Sequence, residues 1–174
     1  SYCWVESTGN DHRDTTLEGY VITSRDITER RRREAALSEL HAATRSFMDA
    51  QDTDAVAEQA VETARSVLDL SINGLWLYDE GADALVPEAL TDRGEELLGE
   101  PPTYDSGESL SWEAFQSGEA AVYDDLDSVS GLANPDTDIR SEIVLPIGEY
   151  GVMNVGSTER QAFDSIDVSL ARIL

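Results

Sequence analysis

The sequence predicts an α+β domain, in which an antiparallel sheet carries helices on one face and a lid of loop and short helix on the other. Three observations predict it. Strand-like runs cluster between residues 74 and 157 while helical patterns lie toward the two ends, an order that gives sheet and helix layers rather than alternating βαβ units. Polar turns containing glycine separate successive strand runs, as antiparallel hairpins require. The strand runs leave both faces partly apolar, Trp76, Tyr78 and Val144 among them, and only residues 93–138 remain to cover the second face. A lid over a sheet encloses a pocket almost by construction.

Residues 1–26 read as a short separate unit. Tyr2 to Glu6 is strand-like, Ser7 to Thr16 is polar and turn-rich, and Leu17 to Ser24 is strand-like again, which makes a hairpin. A hairpin alone is marginal in water, so this piece needs a partner. A helix follows, with Asp26 as its N-cap and Glu29 reaching back as in a capping box. The run Arg30 to Arg33 spreads around the helix and forms no one-sided patch; a solvated helix start explains it better than a phosphate site. Leu37, Leu40, Thr44 and Phe47 then step by three and four along one stripe, widened by Ala36, Ala43 and Met48. Gln51 to Asp54 breaks this helix and caps the next, whose stripe runs from Val56 through Ala60 and Val61 to Leu68 and ends near Leu70. The two stripes predict an antiparallel helix pair that covers an apolar surface.

Gly74 to Tyr78 and Ala84 to Leu90 are strands joined by a turn at Asp79 to Asp83. Arg93 to Tyr104, with Pro101-Pro102, reads as irregular. Ser109 to Ser117 is a short helix with apolar Leu110, Trp112 and Phe115, ended by Gly118. Ala120 to Tyr123 is a short strand, and Asp124 to Asp138 is a long acidic loop. Glu142 to Ile147 and Val152 to Ser157 form a hairpin around Gly148-Glu149-Tyr150-Gly151. A last helix starts at Asp164, with Phe163 and Val168 spaced as a hydrophobic staple and Ile166, Leu170, Ile173 and Leu174 on its apolar face. The missing initiator Met and an end at Leu174 inside this pattern suggest part of a longer protein.

The chain has 174 residues, 40% of them hydrophobic, which is enough for one core. Its 36 acidic residues face 12 basic ones, all arginine, for a net charge of −24. Lysine, normally among the commonest residues, is absent. This balance suits a high-salt cytoplasm, where repulsion between like charges is screened and carboxylates keep the surface hydrated. A GC-rich genome writing Arg for Lys is the other source. Either way the chain should repel DNA and anionic membranes. No run is long and apolar enough to span a bilayer, and no signal peptide is expected. One cysteine, Cys3, and two histidines, His12 and His41, support neither an intrachain disulfide nor a convincing metal site.

Against these patterns three stretches stand out: Gly74-Leu75-Trp76-Leu77-Tyr78-Asp79-Glu80; Ile139-Arg140-Ser141-Glu142-Ile143-Val144-Leu145-Pro146-Ile147 with Gly151-Val152-Met153-Asn154-Val155-Gly156-Ser157; and Phe163 followed by Asp167 and Leu170. In this order they resemble the GAF domain, a small-molecule sensor module, over residues 35–174. The stretch Gly19 to Arg25 followed by Asp26-Ile27-Thr28-Glu29-Arg30 is similar to the exit of a PAS domain into a connecting helix. The resemblance thus implies a PAS hairpin at 1–26, the start of a connecting helix at 27–34, and a GAF-type sheet in 35–174. On a lysine-free acidic chain this tandem resembles haloarchaeal regulators of the bacterio-opsin-activator type, in which a DNA-binding domain follows the GAF domain. A histidine kinase with the same front end fits almost as well.

The resemblance also sorts the chemistry. Bilin attachment and free methionine sulfoxide reduction use cysteines inside the GAF domain, and residues 35–174 have none. Cyclic-nucleotide GAF domains need a lysine; Phe163 and Asp167 fit half of that set but are better explained as staple and helix cap. His41 lies at the edge of the first stripe and lacks the acid and proline that follow a phosphoacceptor histidine. What remains is an aromatic-rich pocket of Trp76, Tyr78, Tyr104, Trp112, Phe115 and Tyr123, able to stack on a planar ligand, with Arg140 or Asn154 adding a hydrogen bond. The plain alternative is that these aromatics only fill the core.

The expected function is that of a cytoplasmic, non-enzymatic sensory module, binding a small molecule or relaying a PAS signal to an output domain. No cofactor is named. The helix stripe of Leu37, Leu40, Thr44 and Phe47 is the candidate relay, and with the last helix it is the candidate contact of a homodimer. DNA would be met only through a further C-terminal domain, and no membrane partner is expected. A ligand-free dimerisation and spacing module is the competing reading.

Overall fold

The computed structural model describes residues 3–12, 19–49, 52–107, 109–130, 132, 134 and 137–173, and within these the side chains except those of 11, 12, 19, 39, 40 and 42–49. The side chains of Leu40, Thr44 and Phe47 therefore lie outside the described residues, and that of Leu37 is half-buried. The chain divides into two units, residues 1–38 and 39–174.

In the first unit β1 (Val5–His12) pairs antiparallel with β2 (Gly19–Asp26), Val5 opposite Asp26 and His12 opposite Gly19. The polar stretch from Ser7 to His12 is thus strand rather than turn. A two-stranded ribbon exposed on both faces needs no apolar alternation, only a complete backbone ladder. Trp4, Tyr20 and Ile22 are all exposed. Helix α1 (Thr28–Asp49) begins one residue later than expected. The Asp26 carboxylate accepts from Thr28 N at 2.9 Å, and Arg31 N donates to Ile27 O at 3.0 Å, so Ile27 holds the cap position. Trp4 closes the corner. Its carbonyl accepts from Ile27 N, its N–H donates to the Thr28 hydroxyl, and the Arg31 guanidinium lies 5.6 Å from its ring centre.

The second unit is built on a six-stranded antiparallel sheet. Its strands are β3 (Ile72–Asp79), β4 (Ala84–Leu90), β5 (Tyr104–Asp105), β6 (Ala121–Tyr123), β7 (Ser141–Ile147) and β8 (Gly151–Ser157), in the spatial order β5-β4-β3-β8-β7-β6. The two hairpins read from the sequence supply the four central strands. Between β3 and β4, Leu75 pairs with Ala89 and Trp76 with Pro87, so Glu88 is the extra residue of a bulge, which is where a strand accommodates proline.

Alternation along the strands separates two faces. One carries Asn73 and Leu75 and is covered by α2 (Thr53–Leu68), which buries Ala57, Val61, Ala64 and Leu68. Asp52 caps this helix by accepting from Ala55 N, and Asp69 ends it in a left-handed conformation. Asn73 donates to the carbonyls of Leu70 and Val61, tying β3 to α2. Beside α2 lies α5 (Ser165–Ala171), which finishes at Ala171 and opens on a reciprocal capping box in which Asp164 is the N-cap and Asp167 reaches back to it, the capping role expected of Asp167.

The other face carries Gly74, Trp76, Val144, Val152 and Asn154 and lies under the lid. The lid holds α4 (Leu110–Ser117), capped by Ser109 and ended by Gly118 as the sequence predicts. It also holds α3 (Asp92–Leu98), in the stretch read as irregular. Gly94 and Gly99 obscure this helix. The first is buried, a Cβ on it would come 3.2 Å from the Asn73 carbonyl oxygen, and its N–H donates to the capping Thr91 hydroxyl. A glycine that reads as a breaker is there to let the helix approach β3.

Candidate functional site

Under the lid the aromatic candidates form one packed group. Tyr78 and Phe115 have ring centres 5.0 Å apart, Trp76 and Tyr104 5.3 Å, Trp112 and Phe115 5.5 Å, and Tyr78 and Trp112 6.0 Å. Trp76 and Trp112 are buried with Leu85, Val144 and Val152, and Tyr123 packs against the margin. The polar tips find internal partners: Trp76 Nε1 donates to Pro102 O at 2.8 Å, and the Tyr78 hydroxyl pairs with Asp83 at 3.0 Å.

Beside this group is a cavity of about 50 Å³. Leu110, Leu126 and Ile139 are among its apolar walls, and Tyr104, Ser109, Ser111, Asn134, Thr137 and Glu142 give it polar ones. Of the eight ligand candidates named from the sequence, Tyr104 lines it. Asn154 stands behind it, 6% exposed, donating from Nδ2 to Ser111 Oγ at 2.8 Å and to the Tyr104 hydroxyl at 3.3 Å. Asn154 Oδ1 is buried without a partner among the described residues. Arg140 turns away: its guanidinium donates to the carbonyls of Thr137 and Ile139 and pairs loosely with Asp127 and Asp138. Arg160 pairs with Asp125 and Asp127, and Leu126 N donates to Arg140 O, so the loop after β6 is clasped to the strands beside it. These exposed ion pairs each contribute little.

The residue that the sequence reading missed is Glu142. It lies on β7 between Tyr123 of β6 and Gly156 of β8, on the face that also carries Val144 and Asn154. No hydrogen bond or ion pair among the described residues reaches its side chain, and burial pushes its carboxyl up to about 7. Its charge in turn adds to the burial that raises both the Tyr104 and Tyr123 hydroxyls. The signal was there to be found: Glu142 shares its parity with Val144, so an acid stood on the inward side of a strand.

The native state keeps this proton where an unfolded chain, with a glutamate near its ordinary 4.5, releases it. The group's contribution is therefore intact below about pH 4.5 and is lost as pH rises toward 7 and beyond. The loss should reach on the order of 2–3 kcal/mol at pH 8. Glu142→Gln should abolish it, so that urea unfolding of the variant gains over the natural chain at pH 8 but not at pH 4.5.

Comparison with known proteins places this architecture. The GAF domain of a phosphoenolpyruvate-protein phosphotransferase from Coxiella burnetii superposes with a TM-score of 0.68 at 17% identity, covering 79% of this chain and 86% of that one. A GAF sensor protein from Burkholderia vietnamiensis gives 0.66 at 22% identity, over 82% and 90%. The free methionine-R-sulfoxide reductase of Neisseria meningitidis, solved with its substrate, gives 0.63 at 22% identity, over 82% and 84%. No curated protein sequence matches significantly.

The reductase corrects one expectation. Enzymes of this kind recur among the structural matches, so the expectation that the chain is not an enzyme is overturned: this fold carries catalysis as well as sensing. Among the described residues no helix is long and apolar enough to cross a membrane. The GAF domain model matches residues 50–174, well over half of the sequence, and with the six-stranded sheet and its lid this settles the family: the chain belongs to the GAF domains, a family of sensory and regulatory modules.

Proposed function

We propose that residues 39–174 are the ligand-responsive sensor of a cytoplasmic signalling protein, a transcriptional regulator of a haloarchaeon, with the cavity under the lid as the binding place. The observation that carries this is Glu142, an acid without a partner among the described residues, set into a cavity with leucine and isoleucine walls beside the Tyr104 and Ser111 hydroxyls. In this reading a ligand there shifts the lid, and α1 and α5 pass the change on, with the hairpin and its Asp26-Ile27-Thr28 exit as the end of a PAS domain.

The experiment is recovery of bound molecules. Protein purified in molar KCl and then heat-denatured should release one small molecule in near-stoichiometric amount, detected by mass spectrometry. Leu132→Trp, which fills the cavity from its half-buried margin, should release none while keeping its circular dichroism. An empty natural chain that also shows no thermal shift with a panel of metabolites refutes the reading. The source has its own check. With a net charge of −24, the thermal midpoint should rise by at least about 10 °C between 0.1 and 3 M KCl. A flat response removes the haloarchaeal assignment.

A ligand-free dimerisation module is the second reading. It is favoured by an apolar hollow of about 920 Å³ on the opposite face, walled by Leu75, Leu145 and Met153 and bordered by α2 and α5. Sedimentation over a hundredfold dilution, with Val56→Asp as the disrupting variant, tests it.

A further inference from the structure

We infer that the cavity takes the protonated amine head of a small organic molecule, with the Glu142 carboxylate as its counter-ion and the Tyr104 and Ser111 hydroxyls beside it. This rests on the ligand-binding reading above and adds the class of ligand.

Glu142 is half-buried, and a carboxylate partly withdrawn from water is stabilised by an opposite charge or several donors. Glu142 has neither among the described residues. Arg140, the base nearest in sequence, spends its guanidinium on the carbonyls of Thr137 and Ile139. The titratable groups around Glu142 supply no positive charge: Tyr104 on β5 and Tyr123 on β6 keep their protons, and Glu113 of α4 adds negative charge beside Tyr123. The matching ligand therefore brings the charge itself.

An anion is disfavoured. The first turn of α4 opens on the same cavity, but a helix end is worth about half a unit of positive charge against the full negative charge of Glu142. A bare inorganic cation is poorly served as well. Besides the Glu142 carboxylate the lining offers only neutral groups, those of Tyr104, Ser109, Ser111, Asn134 and Thr137, so a divalent ion would keep a net positive charge among walls that include Leu98, Leu110, Leu126 and Ile139. A volume of about 50 Å³ accommodates an ammonium and a carbon or two, with the rest of the molecule leading outward.

The test uses the whole chain in molar KCl with three probes of one size: n-propylammonium chloride, 1-propanol and potassium propionate, with added KCl as the ionic-strength control. Propylammonium should raise the thermal midpoint saturably. Its affinity should fall by about tenfold or more in Glu142→Gln and stay unchanged in Glu113→Gln. Equal or tighter binding of propanol or propionate, unaffected by Glu142→Gln, overturns the amine inference and leaves the cavity as a binding site. A saturable effect of KCl alone also overturns it. Failure of all three probes to bind overturns both the inference and the site.

Discussion

Trp76→Ala should lower the free energy of unfolding by about 3–5 kcal/mol, the range for truncating a buried indole. Trp76 is 2% exposed, at the centre of the group formed by Leu85, Tyr104, Val144 and Val152. It is held from above as well as below, since Nε1 donates to Pro102 O at 2.8 Å and pins the segment between α3 and β5 onto the sheet. Removing the ring opens a void under the lid and frees that segment together. Trp76→Phe keeps most of the volume and loses the bond, at a cost of about 1–2 kcal/mol. Denaturant titrations of both variants in molar KCl check this. Equal effects of Ala and Phe would mean that the bond to Pro102, not the packing, is what matters. A ligand role for Trp76 is measurable only in the Phe variant, where the lid stays seated.

The difference between these variants shows what the sequence made legible. Elements whose signals are local came through: α4 has its Ser109 cap and Gly118 stop, α5 its Asp164 start, and the two central hairpins their alternation and glycine turns. Elements that exist because of a distant partner did not. Helix α3 depends on Gly94 passing close to the backbone of β3, and β5 is two residues long and exists because Tyr104 and Asp105 meet Leu85 and Ala84. The same holds for the site. Aromatic residues announce themselves in a sequence, so six of them were named, and the structure sets them together under the lid. The isolation of Glu142 is a property of its surroundings. Nothing in Ser141-Glu142-Ile143 says that Arg140 will point elsewhere.

Gly151→Ala should be as damaging as the loss of Trp76, about 3–5 kcal/mol or a failure to fold in low salt, from the addition of one methyl group. The sequence places Gly151 in the turn after β7; the structure places it as the first residue of β8, opposite Ile147 on one side and Leu77 on the other. A Cβ there would be driven into the Trp76 carbonyl oxygen and would lie 3.0 Å from both the Trp76 carbonyl carbon and the Leu77 Cα. These are backbone atoms of β3, with no rotamer to yield, so relief requires β3 and β8 to part. Gly148, in the turn itself, is the control. It adopts a left-handed φ of 53° but has only the Tyr150 ring within reach, at 3.9 Å. Gly148→Ala should therefore cost about 1 kcal/mol, the strain of the backbone alone. If the two variants unfold at the same denaturant concentration, the clash is being absorbed and β8 is looser than its register implies. If Gly151→Ala is the worse by several kcal/mol, the effect should reach the cavity too. Asn154 sits three residues further along β8, and its bonds to Ser111 and Tyr104 hold α4 and β5 in place around Glu142. A strand displaced at its first residue carries that anchor with it, so the variant should lose affinity for a cavity ligand even in salt concentrations that restore its fold.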